Sequence, residues 1–470
     1  MIFRAFFTNS FGILVSRVFG FVRDLLTANV LGANIYSDIF FVAFKLPNLF
    51  RRIFAEGAFT QAFLPAFTKS RTKGVFALHV FIRFFIFIAF LTTLVVIFSP
   101  FVTKIFAYGF SDEQISQTAP LVSINFFYLS LIYIVTFIAS LLQYRSHFAT
   151  TAFSTALLNI AMIISLLLSD PTTPEKTVYY LSFGVVVGGF LQVLVHILAM
   201  KKMGLFPLIF GAVKYRKTHK QNETERKTFY KNFFHSVLGG STVQLSSFID
   251  TWLASFLAAG SISYLYYANR IFQLPLALFA IALSIGIFPR VTKLIKKNDE
   301  SEAIKLLEKG FWFLAFLLSV SALSGILLSE PIIKILFERG SFNSYDTIIC
   351  AKVLSMYLLG LIPFGLSRIF SLWLFAQQRQ KEAAMISAVS LGVGVIFSFA
   401  LVYPLGIVGL SLANSISGLF LFILTVRAFG AKTFFSILKL KKLSLLFIVL
   451  IIEFFMLLAL KELLRSLSFI

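Results

Sequence analysis

The chain has 470 residues, of which 58% are hydrophobic and 13% charged, and its mean hydropathy is +0.89. These values exclude an ordinary soluble globular protein and indicate an integral membrane protein. The single cysteine, Cys350, excludes an intrachain disulfide, and the five histidines show no metal-ligand spacing. No bound cofactor is therefore expected.

Apolar runs long enough to cross about 30 Å of hydrocarbon recur from one end of the chain to the other. Thirteen membrane helices are predicted, at 6–31, 37–68, 77–99, 118–143, 150–169, 177–200, 229–258, 262–289, 309–328, 346–376, 383–403, 407–427 and 443–463. The predicted fold class is an all-α polytopic membrane protein.

The basic residues of the predicted loops are distributed unevenly between the two sides of the membrane. With the N-terminus in the cytoplasm, 27 of the 42 Lys and Arg lie in cytoplasmic loops or at the helix ends beside them, and six lie in loops or helix ends on the other side. The positive-inside rule therefore predicts a cytoplasmic N-terminus. The basic run between Lys214 and Lys231 obeys the same rule and would contact anionic membrane lipids, so no nucleic-acid partner is expected.

The two halves of the chain resemble each other in sequence. The segment DLLTANVLGA at 24–33 corresponds to DTWLASFLAA at 250–259, and FKLP at 44–47 corresponds to FQLP at 272–275. Six helices per repeat give both units the same orientation, as in transporters that carry substrate between two lobes. The predicted architecture is two parallel-repeat six-helix bundles around a central cavity, plus one extra C-terminal helix. The proline in each FxLP segment predicts a bend in the second and eighth helices.

This repeat sets the predicted domain boundaries. They are an N-terminal lobe at 1–202, a basic cytoplasmic linker at 203–228, a C-terminal lobe at 229–428 and a C-terminal helix region at 429–470.

Basic residues within the predicted membrane helices are the most informative feature of the sequence. Arg17 lies near the middle of the first helix, where an arginine costs at least ~2.5–3.5 kcal/mol on insertion scales. Six cations lie too far from a helix end to reach water: Arg17, Arg23, Lys45, Arg51, Arg52 and Arg270. Five of the six belong to the first two helices.

Such a group of cations in a cavity shielded from water predicts an anionic ligand. Arginine keeps its charge at any physiological pH and binds phosphate through two parallel hydrogen bonds, so a diphosphate fits this site well. The alternative is structural: Arg17 and Asp24 share one face of the first helix, and their pairing would only lock helices together. The chain lacks Walker glycines, so ATP is not the anion being hydrolysed.

The same segments carry a resemblance to a known family. The stretches SRVFGFVRD at 16–24 and SDIFFVAFKLPNLFRRIFAEGAF at 37–59 closely resemble the bacterial MurJ (MviN) lipid II flippases of the multidrug/oligosaccharidyl-lipid/polysaccharide exporter superfamily. The resemblance returns at YYANR (266–270) and GIVGLS (406–411). It implies a non-enzymatic transporter of the bacterial inner membrane that uses alternating access. Its substrate would be lipid II, the undecaprenyl-diphosphate-linked disaccharide-pentapeptide precursor of peptidoglycan, carried from the inner to the outer leaflet.

The resemblance also implies which residues bind the substrate. They are Arg17, Arg23, Asp24, Arg51, Arg52 and Arg270, with Asp38 and Lys45 in matching positions. Some family members bind sodium in the C-terminal lobe. Asp250, in a half with little cationic company, is the candidate here for a Na⁺ or proton site, and the membrane potential is another candidate driving force. Cell-wall synthesis proteins are the expected protein partners.

Three departures from the family pattern bear on these expectations. Thirteen helices are predicted, whereas the family usually has fourteen. Asn269 stands where the family has an acidic residue beside Arg270, and the loop at 375–382 lacks an expected Asp and Pro.

Other functions stay open on the sequence alone. An exporter of another polyprenyl-linked glycan would use the same scaffold and the same basic cavity, whereas a drug exporter should expose acidic residues to cationic substrates. A membrane glycosyltransferase with a polyprenyl-phosphate donor also needs basic residues. It further requires a catalytic acid and usually a large external loop, and no outer loop here exceeds about twenty residues.

Overall fold

The computed structural model describes residues 2–52, 57–215 and 223–466. For residues 2–10, 223–225, 238–244, 246 and 465 it describes the backbone alone. The described part of the chain consists of helices and short connections, without a β-strand. It divides into two compact units, Met1–Gly260 and Ser261–Ile470. The predicted all-α class is confirmed, and the predicted basic linker lies partly outside the described residues.

The first unit contains helices α1 to α10. Their bounds are Ile2–Leu31 (α1), Ile35–Phe50 (α2), Ala58–Lys69 (α3), Lys73–Ile97 (α4), Ser99–Phe106 (α5), Asp112–Tyr144 (α6), Ala149–Leu167 (α7), Pro174–Lys202 (α8), Phe206–Tyr215 (α9) and Glu223–Ala254 (α10).

Helix α6 forms the centre of the first unit. It packs against α2, α4, α5 and α8, and it buries Phe126, Tyr128 and Tyr133 completely. Helix α1 packs on α7, and α7 packs on α8. Gly188 permits the contact between α7 and α8, because a Cβ at this position would lie 2.8 Å from the Cα of Leu158. Close approach through small residues is typical of helix contacts in membranes.

Helix α10 packs along α3 and ends against the loop between α5 and α6. There the amide of Gly109 donates to the Oγ of Ser255 at 3.0 Å. A Cβ on Gly109 would lie 2.5 Å from the backbone of Ser255 and Phe256, so only glycine fits this contact. Helix α10 therefore belongs to the first compact unit. The predicted lobe boundaries at 202, 228 and 428 follow the sequence repeat and stay predictions.

The prediction of one continuous second helix at 37–68 is wrong. Helix α2 ends at Phe50, and α3 begins at Ala58 after Gly57, which has a φ of +65°. A positive φ is cheap for glycine and breaks the helical path of the backbone. Helix α2 ends immediately before Arg51 and Arg52, so the apolar pattern is itself interrupted at this point.

The second unit contains helices α11 to α19. Their bounds are Ser261–Pro275 (α11), Ala282–Lys296 (α12), Glu300–Leu327 (α13), Ser329–Phe337 (α14), Ser344–Leu359 (α15), Leu361–Ala376 (α16), Gln380–Phe429 (α17), Ala431–Ile437 (α18) and Leu440–Ser466 (α19). In this unit α16 packs against α12, α13 and α17, and α15 packs against α11, α14 and α17.

Two interruptions lie within long helical stretches of the second unit. A π-helical turn at Leu276–Ile281 follows Pro275 directly, as expected from the missing N–H of proline. Gly406 has a φ of +55° and separates α17 into two segments, which agrees with the two helices predicted at 383–403 and 407–427.

In the described part of the chain, nine helical stretches are long and apolar enough to cross a membrane. Some of these stretches, such as Ser344–Ala376 and Gln380–Phe429, contain an internal break. The exact number of thirteen spans stays a prediction.

Each unit also contains a short helix that leads into a capped long helix. In the first unit α5 has a proline in its first turn, and the side chain of Ser111 then caps α6 through a capping box with Gln114. In the second unit the short helix α14 precedes α15, as α5 precedes α6. Asn343 caps α15 through a capping box with Asp346. The recurrence adds a structural element to the repeat seen in the sequence.

The last helix, α19, packs on α13 and is held to it by a hydrogen bond and by ion pairs. Within this apolar helix Glu453 is buried, and its Oε1 accepts a hydrogen bond of 2.5 Å from Ser324 of α13. At the other end of the contact, Glu308 of α13 binds Lys439 and Lys442 at 2.6 and 3.1 Å. Polar contacts at two heights therefore hold α19 in place.

Candidate substrate-binding site

Arg23 and Asp24 form a buried ion pair on α1. Their exposed fractions are 6% and 2%. The Nε and Nη2 atoms of Arg23 donate to Oδ1 of Asp24 at 3.1 and 2.6 Å, and Nη1 donates to Oδ1 of Asn159 on α7 at 2.9 Å. The guanidinium also lies 5.8 Å from the ring centre of Phe44 on α2. The structural pairing considered for Arg17 therefore occurs at Arg23.

Asn159 completes this network, and the sequence analysis did not single it out. Its Nδ2 donates to the carbonyl of Ser16 at 3.1 Å and to that of Thr155 at 3.3 Å. One amide thus joins α7 to the backbone and the arginine of α1. The available signal was a polar amide within an otherwise apolar helix, since such groups find partners across helices in membranes.

Arg17 lies on an exposed face of α1, between the exposed side chains of Leu14 and Val18. Within the described residues no hydrogen bond or ion pair involves its guanidinium. Its charge is therefore not compensated by Asp24, which binds Arg23 instead. An arginine on the membrane part of a helix needs a polar partner, and this face of α1 is where we expect one.

Asp38 is buried near the start of α2. Its Oδ2 accepts a hydrogen bond of 2.7 Å from the backbone N–H of Gly260, at the end of the first unit. Asn34 caps α2 through a capping box with Ser37, which fixes the turn that presents Asp38. This carboxylate is therefore engaged with a backbone donor.

Lys45 is half-buried on α2, and its ammonium donates to the hydroxyl of Thr251 on α10. A small cleft surrounds this contact, lined by Val42, Lys45, Leu49, Phe106, Phe248 and Thr251. The carboxylate of Asp250 attracts the ammonium of Lys45, and Arg52 repels it. The expectation that Asp250 has few cations near it is therefore wrong, because Asp250 belongs to the first unit and its neighbour Thr251 contacts Lys45.

Arg51 and Arg52 follow directly on α2. Arg51 is half-buried, and its backbone N–H closes the helix end on the carbonyls of Pro47 and Asn48. The side chain of Arg52 is exposed. Together with Lys45 they place three cations near the end of α2 and directly after it, against one acidic residue, Asp38, near its start.

Arg270 lies in the second unit, half-buried on α11. Its Nη2 donates to the hydroxyl of Tyr266 at 2.6 Å, and its guanidinium lies 4.6 Å from the centre of the same ring. A tyrosine one turn away therefore orients this arginine, and Asn269 bonds to Gln273 instead. The hydrogen bond and the contact with the ring together fix the direction of the Arg270 guanidinium on α11.

No group of three or more His, Cys, Asp or Glu among the described residues is arranged to hold a metal ion. The Na⁺ or proton site expected at Asp250 stays a prediction.

Comparison with known proteins agrees with the resemblance found in the sequence. The family described as "Lipid II flippase MurJ" matches residues 27–468. A "Probable lipid II flippase MurJ" of Helicobacter pylori strain J99 is 49% identical over 446 residues, which cover 93% of this chain and 97% of that protein. Another of the same name, from Buchnera aphidicola subsp. Acyrthosiphon pisum, is 31% identical over 93% of this chain and 85% of its own length.

Solved structures give the same result. The structure "Lipid II flippase MurJ, inward closed conformation" matches with a TM-score of 0.78 and 25% identity, over 98% of this chain and 99% of that one. An inward-facing multidrug resistance transporter of the MATE family matches with a TM-score of 0.69 at 12% identity, over 91% and 98% of the two chains, which shows a shared fold. With its apolar helices, the chain is a multi-pass membrane protein. By its sequence and its fold, it belongs to the MurJ family of lipid II flippases.

Proposed function

We propose that this protein carries lipid II from the inner to the outer leaflet of the bacterial cytoplasmic membrane by alternating access. The observation that carries the proposal is the family match across residues 27–468, supported by flippase relatives that are 49% identical over nearly their whole length. The protein is a transporter, and its contribution to peptidoglycan synthesis is delivery of the precursor.

The diphosphate of lipid II is the chemical group that the membrane cations would bind. Arg17 has no ionic partner among the described residues, and Arg270 is oriented by an uncharged tyrosine. The guanidinium of Arg17 can therefore offer charge and paired donors to phosphate oxygens, which bind such donors strongly, and the family resemblance adds Arg270 as a second proposed contact. Lys45, Arg51 and Arg52 add positive charge from α2.

The role proposed for Arg23, Asp24 and Asp38 is structural. The donors of Arg23 are engaged by Asp24 and Asn159, and Asp38 is engaged by Gly260. For Arg23 to bind a diphosphate directly, its buried contact with Asp24 would have to open. We therefore assign these residues to holding α1 and α2 in position, and the direct contacts to Arg17, Lys45, Arg51, Arg52 and Arg270.

The orientation in the membrane follows from the distribution of charge. We place the N-terminus in the cytoplasm because 27 basic residues fall in loops or adjoining helix ends on that side and six on the other. Proteins of cell-wall synthesis, which make and consume lipid II, are the proposed partners.

The test of the proposed function is depletion of the protein in its own bacterium. We expect lipid II to accumulate in the inner leaflet, while labelling of lipid II from outside falls. Accumulation of a different polyprenyl-linked glycan would assign the protein to export of that glycan. Accumulation of an unglycosylated acceptor, with no change in lipid II, would indicate a glycosyltransferase. Either result would overturn the proposal.

Asp250 is proposed to couple transport to Na⁺ or protons, with the membrane potential as the other driving force. Its carboxylate acts on Lys45, so an ion bound there would change the charge beside a proposed substrate contact. Replacing Asp250 with Asn should remove the dependence of flipping on sodium or pH in proteoliposomes. A variant that keeps the wild-type dependence on both would eliminate Asp250 as the coupling residue.

A further inference from the structure

Thr251 of α10 has a hydroxyl that is buried and fully engaged. It donates to the carbonyl of Ser247, one turn earlier, at 3.1 Å. Because its proton is committed there, the oxygen faces Lys45 as an acceptor, and the ammonium of Lys45 donates to it. In the described part of the chain, this hydroxyl is the one hydrogen-bond partner of Lys45.

The surroundings of this contact are largely apolar. Val42 and Leu49 of α2 line one side, and Phe106 and Phe248 pack edge to face across the other, with ring centres 4.8 Å apart. The hydroxyl of Thr251 is a neutral acceptor, and one hydrogen bond to it leaves two of the three donors of the Lys45 ammonium for other oxygen atoms, while the carboxylate of Asp250 attracts the ammonium through space. A phosphate oxygen is a much stronger acceptor for an ammonium than a hydroxyl.

Three hydrogen bonds hold the end of α10, and the residues directly after it, to the rest of the first unit. They are Lys45 with Thr251, Gly109 with Ser255, and Asp38 with Gly260. In the second contact both partners are uncharged, and in the third the side chain is an anion, so neither attracts a phosphate. Of these three hydrogen bonds, an anionic ligand can replace the acceptor only in the one donated by Lys45.

We propose that Thr251 is a positioning residue that holds Lys45 against α10, so that Lys45 joins α2 to α10 until a diphosphate takes over its hydrogen bond. The inference rests on the proposed function for the identity of the diphosphate carrier. Binding of the headgroup would thereby loosen α10 from α2, and this links substrate recognition to movement of a helix.

The test measures whether the α2–α10 contact responds to a diphosphate. Val42 and Phe248 line the same cleft from α2 and α10, so cysteines at these two positions can be joined by a short bifunctional thiol reagent, with Cys350 replaced by alanine. In the purified full-length protein, lipid II or inorganic diphosphate should reduce the rate of cross-linking. We expect a reduction of about fivefold or more, the effect of one hydrogen bond on an equilibrium.

Two substitutions at position 251 provide the matched comparison. Thr251→Val keeps the shape of the side chain and removes the acceptor, so the response to both probes should be lost. Thr251→Ser keeps the hydroxyl and should retain it. If Thr251 had a purely structural role, the Val and Ser variants would not differ in their response to the probes. Thermal unfolding in detergent would verify that both variants fold.

The outcomes separate the inference from the proposed function. A Val variant that responds as the wild type does, or a wild type that responds to neither probe, overturns the inference. A third outcome is a wild type that responds to inorganic diphosphate but not to lipid II, together with a Val variant that responds to neither probe. This outcome supports the role of the Lys45–Thr251 contact and contradicts the proposed substrate.

Discussion

Replacing Arg23 with alanine is expected to lower the free energy of unfolding by about 3–5 kcal/mol, the usual cost of breaking a buried ion pair from one side. The reason is that the Asp24 carboxylate, 2% exposed, would lose both of its hydrogen bonds from the guanidinium. The Oδ1 of Asn159 would lose its donor as well. Unfolding in detergent, followed by circular dichroism or by thiol reactivity of buried Cys350, would measure the loss.

A matched control is available on the same helix. Arg17→Ala removes the same side chain two turns earlier from an exposed position, and we expect a change within about 0.5 kcal/mol. Replacing Arg23 and Asp24 together by alanine should cost less than the sum of the two single changes, because the pair is removed as a unit. If Arg23→Ala and Arg17→Ala destabilise the protein equally, the buried pair does not stabilise this fold.

Replacing Arg17 with lysine is expected to weaken lipid II binding by about 1–3 kcal/mol, although the positive charge is kept. A guanidinium offers two parallel donors to a phosphate, whereas an ammonium acts as a point charge. Arg17→Ala should weaken binding further, because both charge and donors are lost where water compensates poorly. Affinity for lipid II and complementation of a depleted strain would be measured for both variants.

The control for this effect is the unfolding free energy of the same variants, which should stay near that of the wild type. Loss of binding with unchanged stability assigns Arg17 to the substrate. If Arg17→Lys binds lipid II as tightly as the wild type, recognition depends on charge alone, and the planar contact proposed here is absent.

Much of the class and the candidate site followed from properties that are local in the sequence. Apolar runs indicate membrane helices because the cost of burying polar groups in lipid depends on each residue and its near neighbours. The same cost singles out Arg17, Lys45 and Arg270, whatever surrounds them in space. The break at Gly406 and the interruption after Pro275 were also predictable, because glycine and proline act on their own backbone.

The partners of these residues were decided by the tertiary structure alone. Asp24 binds its neighbour Arg23 and not Arg17, which is seven residues away on the same face, because Asn159 draws the Arg23 guanidinium toward α7. That contact joins residues 136 positions apart in the sequence, and the contact of Lys45 with Thr251 joins residues 206 apart. Helical periodicity specifies which residues share a face of one helix, but the packing of separate helices decides which face meets which. For this protein the sequence by itself determined the membrane class, the family and the set of cations. The structure alone decided that Arg23 is paired with Asp24 and Asn159, and that Lys45 contacts Thr251.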